Sequence, residues 1–216
     1  MTATEQCLRK DLLKTAREMN RIGLNQGTSG NLSVRSGRDL LITPSGLAYD
    51  TCQPEDIVLL QMDGSPCGLH KPSSEWRLHR DIYLSFPDAG AVLHAHPPWC
   101  TTLACLDMEI PPFHYMIAVA GGKSIRCADY ALFGTEQLSR NVNKALNNRS
   151  ACLMSHHGMI CFADNLEKTF ALAIEVENLA RVFCQVQQLG RPSLLSEGQM
   201  DDVLAQFAEY RTSRNQ

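Results

Sequence analysis

The sequence predicts an α/β fold in which helices cover both faces of a mixed β-sheet. Some strand-like runs are separated only by turn residues, which is typical of hairpins, whereas others alternate with helices. The first kind comprises residues 31–35, 40–43 and 57–61, and the second comprises residues 91–96, 151–154 and 159–162. A sheet that contains both kinds of strand is expected to be mixed.

In the amino-terminal half, residues 4–22 place an apolar stripe at helical spacing, with Thr4 expected as the N-cap. Three short β-like runs follow, each bounded by Gly, Pro or Asp. A proline followed by two serines is a helix-start pattern, and it predicts a helix through residues 76–84. The run 91–96 is expected to be a strand that ends at two prolines.

In the carboxy-terminal half, Asp164 followed by Glu167 resembles a capping box, which predicts a long helix from there to residue 188. Further helices are expected at residues 99–106, 114–120, 135–146 and 199–210. No internal repeat, low-complexity tract or linker divides the sequence. The chain is therefore expected to form a single domain over residues 1–216.

Composition excludes several classes of protein. The 216 residues are 44% hydrophobic, carry a formal net charge of −3 and contain no Lys/Arg-rich run, so a nucleic-acid partner is not expected. No apolar run approaches the ~18 residues of a membrane span, and the charged amino terminus does not resemble a secretory signal. The nine cysteines are odd in number and lack a CxxC pair. We expect reduced, mostly core cysteines and a cytoplasmic protein.

His94 and His96 end a strand-like run and are separated by one residue. Because successive side chains of a strand point to opposite faces, these two imidazoles are expected to share a face. Two imidazoles side by side form half of a zinc site. The alternative is a pair of polar residues on a solvated strand face.

A second pair, His156 and His157, follows another buried strand-like run. Adjacent residues in a strand face opposite ways, so at most one of the two is expected to join a metal. The other is expected to hydrogen-bond to the backbone or to a neighbour. Local position does not choose between them.

Three turns suit an anion. Loops 25–31 and 43–46 place small hydroxylated residues between glycines, so backbone N–H groups can converge there. Ser73 and Ser74 either cap the predicted helix or bind an anion such as phosphate. Glu75 follows in the expected first turn, where a carboxylate is favoured and can ligate a metal or act as a general base. Neither a P-loop nor a GxGxxG motif is present, so nucleotide binding lacks support.

Six segments together resemble the class II sugar-phosphate aldolases, and within them the L-fuculose-1-phosphate aldolases. In chain order they are GLNQGTSGNLSVR, ITPSG, KPSSEW, AVLHAHP, IPPFHYMIAVAGG and MSHHGMI. The resemblance extends from the first helix to Tyr210. It implies a three-layer fold with a largely antiparallel sheet, and one zinc per subunit, although another divalent metal could replace it. The implied ligands are Glu75, His94, His96 and His157, which leaves His156 as a structural neighbour.

The resemblance also implies the rest of the site. Substrate phosphate would be bound by Thr28, Gly30, Asn31, Ser45, Gly46, Ser73 and Ser74. Members of the family are homotetramers with active sites at subunit interfaces. Tyr115 would reach the site of an adjacent subunit as a proton donor, and Tyr210 would help to bind or protonate the aldehyde half.

The implied reaction is reversible retro-aldol cleavage in fucose metabolism. L-fuculose 1-phosphate is the expected substrate, with dihydroxyacetone phosphate and L-lactaldehyde as products and Glu75 as the proton carrier. Alternatives are 5-deoxyribulose 1-phosphate or 5-methylthioribulose 1-phosphate as substrate, or a decarboxylase of 3-oxo-tetronate phosphates. Ribulose-phosphate 4-epimerases typically carry Asp where this chain has Glu75, which favours the aldolase. An adducin-like binding module is disfavoured because all four ligand types are present.

Overall fold

A computed structural model describes the backbone of residues 2–213 and the side chains as far as residue 210. The helices are α1 (Ala3–Arg21), α2 (Trp76–Ser85), α3 (Pro98–Ala104), α4 (Glu136–Ala145), α5 (Leu166–Leu189) and α6 (Glu197–Ser213). The strands are β1 (Asn31–Ser36), β2 (Asp39–Ile42), β3 (Val58–Leu60), β4 (Pro66–Cys67), β5 (Ala91–Ala95), β6 (Cys127–Ala128), β7 (Ala151–Met154) and β8 (Gly158–Ala163). Short 3₁₀ helices occupy Pro54–Asp56 and Tyr115–Ala120.

The eight strands form one sheet in the order β4-β3-β2-β1-β5-β8-β7-β6. Every neighbouring pair is antiparallel except β6 and β7, which are parallel. The predicted mixed, largely antiparallel sheet is therefore confirmed. Strand β5 lies between β1 and β8, and the register sets His94 opposite Asn31 on one side and Ile160 on the other.

Helices cover both faces of the sheet, so successive residues of a strand are buried on opposite sides in two different cores. Leu93 of β5 belongs to the core that includes Val176 of α5, and α1 and α3 contribute to the same core. Val92, the preceding residue, belongs to the second core, with Leu78 of α2 and residues of α4. Both strand residues are completely buried. This arrangement is the three-layer architecture that the sequence predicted.

Two helix caps differ from the predictions. Thr2, rather than Thr4, caps α1, since its hydroxyl oxygen accepts a hydrogen bond from the backbone N–H of Glu5 at 3.1 Å. Asn165, rather than Asp164, caps α5 by accepting from the N–H of Lys168 at 2.9 Å. The capping-box prediction was wrong by one residue because Asn is as good an N-cap as Asp, so both positions carried a suitable side chain.

The structure adds strands that the sequence pattern did not indicate. Strands β4 and β6 contain two residues each, which is too short for an alternating pattern to be recognised. In the described part of the chain, no helix is long and apolar enough to span a membrane. All nine cysteines are free thiols, but only four of them are buried and three are exposed.

Candidate metal centre

Four predicted ligands meet at one end of the sheet, although three separate segments carry them. His94 is in β5 and His96 follows its end; His157 lies in the turn between β7 and β8, and Glu75 immediately precedes α2. One ligand atom from each lies within 4.8 Å of those from the other three. Antiparallel pairing of β5 with β8 brings His157 beside the two strand histidines.

The orientation of His94 is set by the backbone. Its Nδ1 lies 2.8 Å from the carbonyl oxygen of Met159, which can only accept, so Nδ1 carries the hydrogen. In the neutral ring, Nε2 then presents a lone pair to the site. This Nε2 lies 3.0 Å from Oε2 of Glu75 and 2.8 Å from Nε2 of His96. Imidazoles oriented in this way by an outer hydrogen bond are typical of metal ligands.

Glu75 offers an unsatisfied oxygen to the same point. Its side chain is almost completely buried, and Oε2 accepts a hydrogen bond from Nδ2 of Asn31 at 3.2 Å. Oε1 makes no hydrogen bond with the residues that the structure describes, although it lies 3.3 Å from Nε2 of His157. A buried carboxylate oxygen without a partner is costly unless a cation completes it. One carboxylate and three imidazoles are a donor set that fits a divalent transition metal.

The electrostatic environment keeps most of the donors in the form that binds a metal. Burial, followed by the charge of His94, lowers the pKa of His96 to about 3 and that of His157 to about 4. Burial acts to raise the pKa of Glu75, but His94, His157 and Asn31 outweigh it and lower this pKa well below its usual range. Burial acts to lower the pKa of His94, but the adjacent Glu75 carboxylate outweighs burial and raises this pKa. Neutral imidazoles and an ionised carboxylate are the ligand states that a metal requires.

A cavity of about 430 Å³ opens beside this cluster. Its lining includes Glu75, His96 and His157. It also includes all seven residues predicted to bind phosphate, namely Thr28, Gly30, Asn31, Ser45, Gly46, Ser73 and Ser74. The three predicted anion-binding turns therefore form one wall next to the ligand cluster.

Hydrogen bonds between the turns hold that wall together. The N–H of Ser45 donates to the carbonyl of Lys71, and the N–H of Ser73 donates to the carbonyl of Thr43, both at 3.0 Å. Gly30 has a φ of +74°, and a Cβ added there would lie 2.2 Å from the amide nitrogen of Asn25. Only glycine allows the first turn to approach Asn25 this closely.

The cavity lining also contains residues that the sequence patterns did not indicate. Tyr130, Ala131 and Phe133 line the cavity, and they lie in a stretch without a recognisable motif. His156 also lines it, and its ring is edge-on to Tyr130 with 6.0 Å between centroids. His156 has a φ of +52°, which turns the chain so that the adjacent His157 can face the cluster.

Two predicted residues do not line this cavity within the single chain. Tyr115 is 52% exposed at the start of a 3₁₀ helix, and Tyr210 is 59% exposed in α6. Glu75 also differs from its predicted position: it is the N-cap residue of α2 and does not belong to the first turn.

Comparisons with known proteins agree with the fold and show the family. The family model of the class II aldolase and adducin N-terminal domain matches residues 10–184. A Rhodospirillum rubrum 5-methylthioribulose-1-phosphate/5-deoxyribulose-1-phosphate aldolase is 48% identical over 97% of this chain and 95% of its own length. The L-fuculose phosphate aldolase of Escherichia coli K12 is 46% identical over 94% and 95%, respectively. A solved L-fuculose 1-phosphate aldolase has a TM-score of 0.91 at 36% identity, covering 96% of this chain and 98% of that one.

Proposed function

We propose, from the premise that this chain belongs to the class II aldolase and adducin N-terminal domain family, that it splits a ketose 1-phosphate reversibly into dihydroxyacetone phosphate and a short aldehyde. The chain is a class II aldolase, a carbon–carbon lyase. One observation carries the proposal for the site: four ligand atoms converge beside a cavity whose adjacent wall is made of anion-binding turns.

We assign the metal site to Glu75, His94, His96 and His157, with zinc as the proposed ion and one site per subunit. The orphaned Oε1 of Glu75 and the inward-facing lone pair of His94 support this assignment. When bound, such a cation supplies Lewis-acid stabilisation of the negative charge that develops on the ketone half during cleavage. Neutral imidazoles leave the ion with most of its positive charge, which thiolate ligands would reduce.

The polar wall positions the substrate. Backbone N–H groups and hydroxyls of the three turns would bind the phosphate, with Thr28, Ser45 and Ser73 as representative donors. The anion-binding turns and Glu75 line the same cavity. A substrate whose phosphate is bound at the turns would therefore hold the carbon next to its carbonyl near Glu75. The turns would contribute to catalysis by holding the substrate in position, and they take no part in bond breaking or proton transfer.

Glu75 is the proposed proton carrier at the carbon next to the carbonyl. Glu75 lines the cavity, its Oε1 makes no hydrogen bond to any described residue, and its carboxylate is ionised near neutral pH because its pKa is lowered. It therefore acts as a base in the direction of aldol addition and returns the proton after cleavage.

The aldehyde half of the substrate is assigned to the part of the cavity lining that includes Tyr130 and Phe133. Once the phosphate lies against the polar turns, the remaining lining is Tyr130, Ala131, Phe133 and His156. A largely apolar wall suits an aldehyde with a methyl or methylthio end. The aldehyde halves of 5-deoxyribulose 1-phosphate and 5-methylthioribulose 1-phosphate have such ends and lack the hydroxyl that L-lactaldehyde carries beside its methyl group, and the Rhodospirillum relative is named for these two substrates. L-fuculose 1-phosphate is the second candidate, supported by the Escherichia coli relative.

Tyr115 and Tyr210 are proposed to act across a subunit interface in a homotetramer. Both are more than half exposed and neither lines the cavity of its own chain, so each requires a neighbouring copy to approach an active site. Tyr115 would exchange a proton with the aldehyde oxygen, and Tyr210 would contact the aldehyde half.

A panel of ketose 1-phosphates tests the proposed activity. Zinc-loaded protein is incubated with 5-deoxyribulose, 5-methylthioribulose and L-fuculose 1-phosphates, and dihydroxyacetone phosphate release is coupled to an NADH-dependent dehydrogenase. We expect release from the first two substrates at the highest kcat/KM, with no release by a His96→Ala control. Isomerisation of pentulose phosphates without dihydroxyacetone phosphate would contradict the aldolase proposal.

A further inference from the structure

A line of buried polar side chains runs from Glu75 into the layer between α2 and the sheet. Oε2 of Glu75 is bonded to Nδ2 of Asn31, and Oδ1 of Asn31 is bonded to Nε2 of His79. Nδ1 of His79 lies 2.7 Å from Oγ of Ser33, which lies 2.8 Å from the hydroxyl of Tyr83. All five side chains are buried, and His79 and Ser33 are completely so.

The line forms because strand β1 and helix α2 each present two polar residues on the face that packs against the other. Asn31 and Ser33 are two apart in β1 and therefore share a face of the sheet. His79 and Tyr83 are four apart in α2 and share a face of the helix, below Glu75 at its N-cap. His79 does not line the cavity, and its hydrogen-bonded connection to the site runs through Asn31.

Each hydrogen bond in this line has a fixed direction. The ionised Glu75 can only accept, so Asn31 must donate through Nδ2 and accept through Oδ1. His79 must then carry its hydrogen on Nε2, and burial keeps the ring neutral by lowering its pKa to about 3. Its Nδ1 is therefore an acceptor, so the hydroxyl of Ser33 donates to it and accepts from Tyr83.

We propose that His79 is a positioning residue for the metal centre, because its Nε2–H fixes the amide of Asn31 so that Nδ2 donates to Oε2 of Glu75 and holds the carboxylate in place. In this orientation Oε2 lies 3.0 Å from Nε2 of His94 and Oε1 lies 3.3 Å from Nε2 of His157. Without this donor, the Asn31 amide can turn and set its oxygen against the carboxylate, which repels it. This role rests on the proposed metal-binding function of the same site.

Two substitutions at His79 separate positioning from simple packing. His79→Gln places an amide nitrogen near the original Nε2 and keeps the donor to Asn31. His79→Asn is shorter, so its amide lies near the original Nδ1 and leaves Asn31 without that donor. Both variants lose the imidazole ring, and their unfolding midpoints show how much of the fold each retains. A packing role predicts similar metal binding by the two variants.

The measurement is zinc affinity of the full chain, stripped with a chelator and titrated against a chromophoric competitor. We expect His79→Gln to bind within about threefold of the wild-type chain and His79→Asn to bind on the order of 10–100-fold more weakly. The absorption spectrum of the cobalt-substituted protein should be retained in His79→Gln and altered in His79→Asn. Equal affinities and equal spectra for the two variants would overturn the proposal.

A milder substitution covers the case in which His79→Asn does not fold. Ser33→Ala removes the hydroxyl that donates to Nδ1, so the hydrogen of His79 is no longer confined to Nε2. Ser139→Ala is the matched control, because Ser139 is also completely buried but hydrogen-bonds to Asp81 at 2.6 Å. Zinc affinity is expected to fall in Ser33→Ala alone; equal affinities in both serine variants would overturn the proposal. A wild-type chain that binds no zinc would overturn the metal site itself, and this role with it.

Discussion

Glu75 shows how the surroundings of one residue can determine its chemistry. Its Oε2 is hydrogen-bonded to Asn31, whereas Oε1 has no hydrogen bond within the described chain and lies beside His157. A buried carboxylate costs several kcal/mol unless charges or hydrogen bonds compensate it. Both oxygens contact the imidazoles, since Oε2 also lies 3.0 Å from Nε2 of His94, but Oε1 alone lacks a hydrogen bond to a described residue and is available to a cation or a proton.

The substitution Glu75→Gln removes the charge and keeps the shape. We expect the fold to be retained, zinc affinity to fall at least about tenfold, and proton exchange into dihydroxyacetone phosphate to be suppressed. Circular dichroism, chelator competition and deuterium incorporation measured by NMR check these three outcomes. Glu55→Gln, a substitution of an exposed glutamate, is the control. Normal exchange in Glu75→Gln would remove the proposed role of this residue.

Buried neutral imidazoles predict acid sensitivity of the metal-free chain. The pKa of His79 is lowered to about 3, whereas an unfolded histidine has a pKa of about 6.5. Between these values the unfolded state binds the additional proton, so stability falls as pH falls. We expect His79→Gln to flatten the dependence by about 1.4 kcal/mol per pH unit between pH 6 and 5. Urea unfolding with chelator present measures it, and parallel curves for the two proteins would contradict the assigned pKa.

At the scale of elements, the start of one helix and the ends of strands supply the metal ligands. Glu75 is the N-cap residue of α2, and Ser73 and Ser74 precede it in the cavity wall. The strand ends and the turn between β7 and β8 supply the histidines. Terminal positions suit function because their backbone groups are free of helix and sheet hydrogen bonds and can face a ligand.

The start of α5 gives a prediction about stability that is independent of function. Asn165→Ala removes the side chain that accepts from Lys168 N–H and should lower the free energy of unfolding by about 1 kcal/mol. Asp164→Ala removes only an exposed ion pair with Lys168 and should change it by less than about 0.5 kcal/mol. Denaturant unfolding of both variants compares them. A larger loss in Asp164→Ala would support the capping box that the sequence suggested.

At the scale of the whole molecule, the three-layer fold completes only part of the proposed active site. The sheet and both helical layers organise the metal ligands and the anion-binding turns within one chain. Tyr115 and Tyr210 lie outside that cavity, so their proposed roles depend on the proposed association of subunits.

Subunit mixing tests the shared active site. Tyr115→Phe and His96→Ala should each be poorly active as homo-oligomers, the first through the aldehyde side and the second through the metal. Co-expressed chains should regain roughly a quarter of wild-type activity, since about one site in four then combines an intact metal centre with an intact neighbouring tyrosine. Aldol cleavage by purified mixed oligomers measures this. Activity no greater than that of the two separate variants would place each active site within one chain.

Local sequence patterns were sufficient where neighbouring residues determine the structure. Alternation along 91–96 placed His94 and His96 together, and small residues between glycines indicated the turns that line the cavity. The order of six motifs indicated the family, which the comparisons confirm. The two-residue strands were not predicted because they are too short to show alternation, and the cap of α5 was predicted one residue early because two neighbouring residues satisfy the same local preference.

The sequence by itself determined the three-layer fold class, the family and the residue types capable of metal and phosphate binding, since these follow from periodicity and from motifs along the chain. Only the tertiary structure decided which side chains meet. Residues 75, 94 and 157 are far apart in sequence, and the strand register and the turn before β8 bring their ligand atoms within 4.8 Å. Packing of α2 on the sheet buries His79 against Asn31 of β1, and no local pattern specifies this contact because it depends on how helix and sheet pack.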